Sequence, residues 1–190
     1  MRTTLICLLW SMGAMAQEPV QTAFEDLQQA LEYPDQVEVL VLKRQKLRAW
    51  PEEIKQFENL RELTLSNNKI DSLPNDLTYL SKLEVLRMKN NKLDSLPNSI
   101  GHLTSLRELY LGNNEIYHVS PAIGELKNLE VLELWSNNIY YLPPEASSLE
   151  KLRELDLRNI QMKQEHQDDI KALFPDGAVR TKFSQSCNCQ

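Results

Sequence analysis

The sequence is poor in the residues from which stapled, fibrous and basic proteins are built. Three cysteines in 190 residues are too few for a disulfide framework or a Cys-rich zinc site. Five glycines and nine prolines exclude collagen-like and Gly-rich linker sequences. Lysine and arginine number 21 against 27 aspartates and glutamates, a net charge of −6. That argues against a nucleic-acid binder, because phosphates require a basic surface. No GxSxG, HExxH, P-loop or dinucleotide-binding glycine pattern occurs, so the chain reads as a non-enzyme without a cofactor. The three histidines, His102, His118 and His166, sit in different contexts. His166 lies in QEHQDD beside Glu165, Asp168 and Asp169. Metal ligands need defined spacing, so that stretch reads as a solvated helix face and not a metal site. What is plentiful is apolar residues, 42% of the chain beside 25% charged. That suffices for one domain with a sizeable core.

Residues 1–16 read MRTTLICLLWSMGAMA. Arg2 supplies a positive start, Leu5 to Trp10 begin an apolar stretch, and Ala14-Met15-Ala16 is a small-x-small cleavage site. This is the pattern of a secretory signal peptide. The alternative is an uncleaved anchor, but the stretch falls short of the about 20 residues that span a bilayer. Cleavage after Ala16 predicts a secreted or periplasmic mature chain, and no later apolar run is long enough to cross a membrane.

The body of the chain is a repeat. Aligned on leucine, units start at Val37, Leu60, Leu83, Leu106, Leu129 and Leu152, a step of 23 residues with no insertion. The shared pattern is LxxLxLxxNxΦxxLPxxΦxxLxx, where Φ is apolar. Each LxxLxL begins with a short strand whose leucines point inward. One unit cannot bury its own apolar side, whereas a stack can. In the second unit the inward set is Leu60, Leu63, Leu65, Ile70, Leu73, Leu77 and Leu80. Asn68, Asn91, Asn114 and Asn137 share one position where the chain turns off the strand. A buried amide there can bond backbone groups that the turn leaves unpaired. Pro51, Pro74, Pro97 and Pro143 share another, where proline starts a short helical turn. The fourth unit has Ser120 and then Pro121, which predicts a local shift there.

These residues resemble the leucine-rich repeat family, in its 23-residue, LP-containing class found in small secreted bacterial proteins. The resemblance covers residues 37–174. It implies an α/β fold, a curved solenoid with a parallel sheet on its concave face and short helical turns on its convex face. It also implies a protein ligand on the concave face. Flanking segments read as caps. Thr22 to Tyr33, within an N-terminal cap of residues 17–36, carries Phe24, Leu27, Ala30 and Leu31 at helical spacing. Lys163 to Phe174 reads as a C-terminal helix. Residues 175–190 begin with the turn signal Pro175-Asp176-Gly177, continue with a last strand over Ala178 to Phe183, and end in a tail. In that tail Cys187-Asn188-Cys189 can close a tight local disulfide, link two chains into a dimer, or stay free. Without such a link the chain is expected to be a monomer.

Outward positions sort into two kinds. The second position of the units runs Glu38, Arg61, Glu84, Arg107, Glu130, Arg153, alternating in sign. The third runs Val39, Glu62, Val85, Glu108, Val131, Glu154, which keeps like charges off adjacent strands. Both columns read as support for the stack. The fifth (Val41, Thr64, Arg87, Tyr110, Glu133, Asp156) and seventh (Lys43, Ser66, Lys89, Gly112, Trp135, Arg158) follow no rule, as expected where binding chemistry is grafted on a scaffold. Exposed aromatics and arginine are the usual anchors of protein interfaces. The partner-binding residues are therefore assigned as Arg87, Lys89, Tyr110, Glu133, Trp135 and Asp156. Tyr117 and Tyr140 join them from just beyond the strands, beside His118 and Tyr141. Arg87 and Lys89 are expected on one flank of the patch and Glu133 and Asp156 on the other. A glycan-binding or self-associating structural protein is the alternative, since aromatics also stack on sugar rings.

Overall fold

The computed structural model describes residues 22–174, 177 and 179–184. The signal-like segment, Pro175-Asp176 and the Cys187-Asn188-Cys189 tail lie outside the described residues. Each repeat forms one coil. In the first five units its strand covers the third to fifth positions, and in the sixth the third to sixth: β2 (Val39–Val41), β3 (Glu62–Thr64), β4 (Val85–Arg87), then, past a minor strand β5 (Ser95–Leu96), β6 (Glu108–Tyr110). Another minor strand, β7 (His118–Val119), precedes β8 (Val131–Glu133) and β9 (Glu154–Leu157). Strands pair parallel with a shift of one repeat, as in Leu40 with Leu63 and Leu86 with Leu109. The minor strands β5 and β7 pair parallel as a separate two-stranded sheet between the middle coils.

The core is the interior of the stack. Leu60, Leu63, Leu65, Ile70, Leu73, Leu77 and Leu80 are all buried, and the equivalent residues of the other coils repeat the arrangement. Burying one such leucine contributes about 2 kcal/mol. The return path of each of the first five coils carries a 3-10 turn, found at Glu52–Gln56, Thr78–Leu80, Asn98–His102, Pro121–Glu125 and Pro144–Ser148. The shift expected at Ser120 does not occur, because Pro121–Glu125 sits one repeat after Asn98–His102. The Ser120 hydroxyl accepts from the Ala122 N–H at 3.1 Å and so caps the turn where the other units have proline. The second unit departs instead, with its turn reduced to Thr78–Leu80.

Both ends are covered. At the front, Ala23–Phe24 is a strand, β1, and not part of the expected helix. It adds to the sheet beside β2 and buries Phe24. The helix is confined to α1 (Leu27–Glu32), started by Asp26, whose carboxylate accepts from the Gln29 N–H at 2.8 Å. At the back, α2 (Gln164–Ala172) buries Ile170, and β10 (Arg180–Phe183) pairs parallel with β9. The result is an eight-stranded parallel sheet in chain order.

The asparagine row joins the coils. In Asn91 the amide donates to the carbonyls of Leu65 and Met88, both at 3.0 Å. Its oxygen accepts from the Ile70 N–H at 3.1 Å. The same three bonds recur at Asn68, Asn114 and Asn137. Each asparagine thus bonds its own coil and the one before it. Leu65, Met88 and Leu111 each accept from two successive amides, so the row is one continuous chain of hydrogen bonds. The substitution Asn91→Ala orphans the buried Ile70 N–H and removes two further bonds. We expect it to cost about 3 kcal/mol in urea unfolding. A loss below about 1 kcal/mol would show that the coils are joined by packing alone.

Candidate functional site

The sheet places the fifth-position side chains side by side on its outer face. Arg87 is opposite Tyr110, Tyr110 opposite Glu133, and Glu133 opposite Asp156. Third-position residues lie on the same face two residues earlier, so diagonal neighbours meet. Arg87 uses this arrangement fully. Its guanidinium holds Glu62 at 3.2 Å on one side and Glu108 at 3.4 Å on the other. The Tyr110 hydroxyl donates to Glu108 at 2.9 Å. The third-position glutamates therefore belong to the patch and are more than stack support. The sequence carried the signal, because a period of two puts Glu62 and Glu108 diagonally across from Arg87.

Tyr110 lies under two cations. Arg87 stands 5.2 Å and Lys89 4.6 Å from its ring centre, distances at which the ring quadrupole attracts a cation. Burial, then the hydrogen bond to Glu108 and that carboxylate's charge, push the Tyr110 hydroxyl up to about 12, with Arg87 opposing. Tyr110 is therefore a neutral hydrogen-bond donor at physiological pH. Lys89 continues over the ring and pairs with Glu133 at 2.5 Å. The expected separation of positive and negative flanks is thus bridged across the middle of the patch.

Trp135 and Gly112 form the other half. A Cβ on Gly112 would lie 2.2 Å from both Cε2 and Nε1 of Trp135. The indole therefore rests flat on the glycine backbone of the preceding coil. Its N–H points to Glu133 at 3.4 Å. Gly112 is a site residue that sequence reasoning passed over. Its signal was the absence of a side chain next to the only tryptophan in the seventh column.

The remaining assigned residues are placed differently. Asp156 is only 1% exposed and does not present its carboxylate to solvent. Burial works against its charge. The Arg158 side chain and backbone N–H, followed by Lys182, outweigh it and hold the carboxyl below its ordinary value. The Arg158 guanidinium binds it at 2.6 Å, so the exposed group at that point is Arg158. Lys182 of β10 pairs with Glu154. Tyr117 and Tyr140 are 57% and 58% exposed. They stand on the flank of the coils with the exposed His118 and Tyr141, apart from the strand-face network. Second-position charges pair as Arg61–Glu84 and Arg107–Glu130, at 2.5 and 2.8 Å. Such exposed pairs are screened by solvent and contribute little to stability.

His102 lies near Asp76 at 3.6 Å, and His166 near Glu165 at 3.6 Å. Among the described residues no group of three or more His, Cys, Asp or Glu is placed to hold a metal ion. Likewise, no described helix is long and apolar enough to cross a membrane.

A family model described as leucine rich repeat matches residues 58–116. A leucine-rich repeat protein of Leptospira interrogans has a similar solved structure, with TM-score 0.58 and 25% identity over 86% of this chain and 54% of its own. An internalin of Listeria monocytogenes gives TM-score 0.57 and 21% identity over 86% of this chain and 52% of its own. The second likeness is one of fold. The chain spans about half the length of each of these proteins. No curated protein matches the sequence.

The Gly112–Trp135 contact is directly testable. With Gly112→Ala the indole must leave its seat, while the buried core is untouched. We expect the fluorine resonance of 5-fluorotryptophan at position 135 to move toward its solvent-exposed value, with the urea midpoint nearly unchanged. Trp135→Phe assigns the resonance. An unmoved resonance in Gly112→Ala would show that the indole does not rest on Gly112.

Proposed function

From the premise that this chain is a leucine-rich repeat protein, we propose that it is a non-catalytic interaction module whose strand face binds another protein. Leucine-rich repeat arrays serve generally in protein interaction, and the preformed sheet favours such a role because little has to be ordered on binding. The observation that carries the proposal is the aromatic patch on the middle strands. Tyr110 is fixed beneath Lys89 and Arg87, and Trp135 lies flat over Gly112. Both rings are held in place yet remain partly open to solvent. Aromatic and arginine side chains held near the centre of a face are the usual carriers of binding energy. The surrounding charges are paired with each other, so they define orientation by an ordered pattern of both signs.

We expect Tyr110→Ala with Trp135→Ala to abolish capture of a partner from the native cell surface and surroundings, at an unchanged urea midpoint. Loss of two anchors corresponds to at least about a hundredfold in affinity. Equal capture by the unaltered chain and the double variant would place the interface elsewhere on the chain.

The chain is also proposed to be exported, as a secreted or periplasmic bacterial protein. Arg2, the apolar stretch and the Ala14-Met15-Ala16 site support this. N-terminal sequencing of the protein from its natural source should begin at Gln17. A chain that retains Met1 and remains with the membrane fraction would identify the segment as an anchor.

A further inference from the structure

A second surface stands apart from the strand face, on the flank where each chain leaves its strand. There the tenth position of the units runs Lys46, Lys69, Lys92, Glu115, Asn138 and Gln161, all exposed. Backbone bonds lock this column in register. The N–H of Lys69 donates to Leu47, that of Lys92 to Ile70, that of Glu115 to Leu93 and that of Asn138 to Ile116, at 2.7 to 2.9 Å. Three lysines thus lie on three successive coils. With neighbouring chains about 4.8 Å apart, they form a row roughly 10 Å long. Arg44 and Arg48, also exposed, widen its front end.

This row breaks the rule kept by the second column of the strand face. There, charge alternates from coil to coil, and across that face Arg61, Arg87, Lys89, Arg107, Arg158 and Lys182 each hold a carboxylate. On the flank, like charges repeat on adjacent coils, which is destabilising. None of Arg44, Lys46, Arg48, Lys69 and Lys92 has an ion pair among the described residues. The nearby carboxylates Asp71 and Asp94 accept instead from the hydroxyls of Ser72 and Ser95, at 2.8 and 2.7 Å. In a chain of net charge −6, such a concentration of unpaired cations has no structural return.

The rear half of the same flank has a different chemistry. Side chains at the eighth position form a second ladder, in which Asn90 donates to Asn67 at 3.0 Å and Asn113 to Asn90 at 2.7 Å. The ladder stops at Ser136. There a cleft of about 360 Å³ opens, lined by Ser136, Asn138, Tyr140, Asn159 and Gln161 among others. Its walls are amides and hydroxyls beside one exposed tyrosine ring, and Tyr117 stands on the preceding coil at the same position as Tyr140. Amides suit the hydroxyls of a sugar, and a tyrosine face suits its apolar C–H surface.

We propose that this flank binds an anionic polysaccharide. Its acidic groups lie along the Lys46–Lys69–Lys92 row, and a sugar ring enters the amide cleft against Tyr140. The cation spacing is one coil, close to the length of one sugar residue in an extended chain. A narrow row of charge fits a linear polymer better than it fits a planar membrane. This surface shares no residue with the Tyr110–Trp135 patch of the strand face, from which Tyr117 and Tyr140 stand apart, and either can fail alone.

Affinity electrophoresis of the purified chain through gels holding polygalacturonate tests the proposal. Retardation is expected, falling with added salt, with none in gels holding neutral dextran. The variant Lys46→Gln/Lys69→Gln/Lys92→Gln should bind at least about tenfold more weakly, because three charge contacts are removed. Ser136→Asn fills the cleft, and asparagine is at home in the left-handed conformation found there (φ 52°). It should weaken binding several-fold while leaving charge and folding intact. Tyr110→Ala with Trp135→Ala should bind polygalacturonate normally. No retardation, or full retardation of the triple-glutamine variant, overturns the proposal. Equal binding to polyphosphate or to phosphatidylglycerol vesicles, unaffected by Ser136→Asn, also overturns it, since the surface would then read charge alone.

Discussion

The structure depends on a buried amide that can serve two coils at once. A chain leaving a short strand at a tight turn exposes one N–H and two carbonyls that no strand partner reaches. Asparagine offers two donors and an acceptor at the end of a side chain short enough to stay inside the turn. In Asn68, Asn91, Asn114 and Asn137 those groups face both the coil they belong to and the coil before it. That direction explains the front end of the row. The first unit has no earlier repeat to serve, and Gln45 stands there exposed. The last unit replaces the amide with Ile160, which is buried beneath the region capped by α2.

Once register is fixed, the outer faces become columns, and what a column carries decides what the face can do. The strand face keeps most of its charges in mutual bonds. Arg87 between Glu62 and Glu108, and Lys89 on Glu133, leave two aromatic rings as its least satisfied groups. A partner that covers those rings gains apolar burial without having to break buried ion pairs. The one charge that is truly buried there, Asp156, is held by Arg158 and acts as an internal support for that side chain.

Much of this was legible in the sequence, for one reason: a repeat of fixed length turns spacing into position in space. The 23-residue step gave the strands, the inward leucines and the asparagine row, because each depends on nearest neighbours one repeat away. Contacts that skip or fold back were not legible. Lys89 reaches past a whole coil to Glu133. Trp135 turns toward the preceding coil because Gly112 leaves room for the indole there. Asp156 looked like an exposed acid by column, and its burial under Arg158 depends on a rotamer that spacing does not encode. At the front, helical spacing of Phe24 with Leu27 and Ala30 masked a strand, since two residues next to an open sheet edge gain more from pairing with β2 than from a helical turn. The proline column also misled at Ser120, where a hydroxyl caps the turn as well as a ring does.

The same physics separates the two faces of the solenoid. Alternating sign is the arrangement a parallel stack reaches when charges only have to coexist, since each coil then sees attraction on both sides. Departure from it has a cost that recurs with every coil. The tenth column departs for three coils in a row and then gives way to an amide cleft and exposed tyrosines. The asparagine row would hold just as well with glutamate at Lys69, because the backbone bonds in that column are made by main-chain groups and ignore the side chain. Stacking therefore places no demand for lysine there. The choice of side chain on that flank answers to whatever meets the flank from outside.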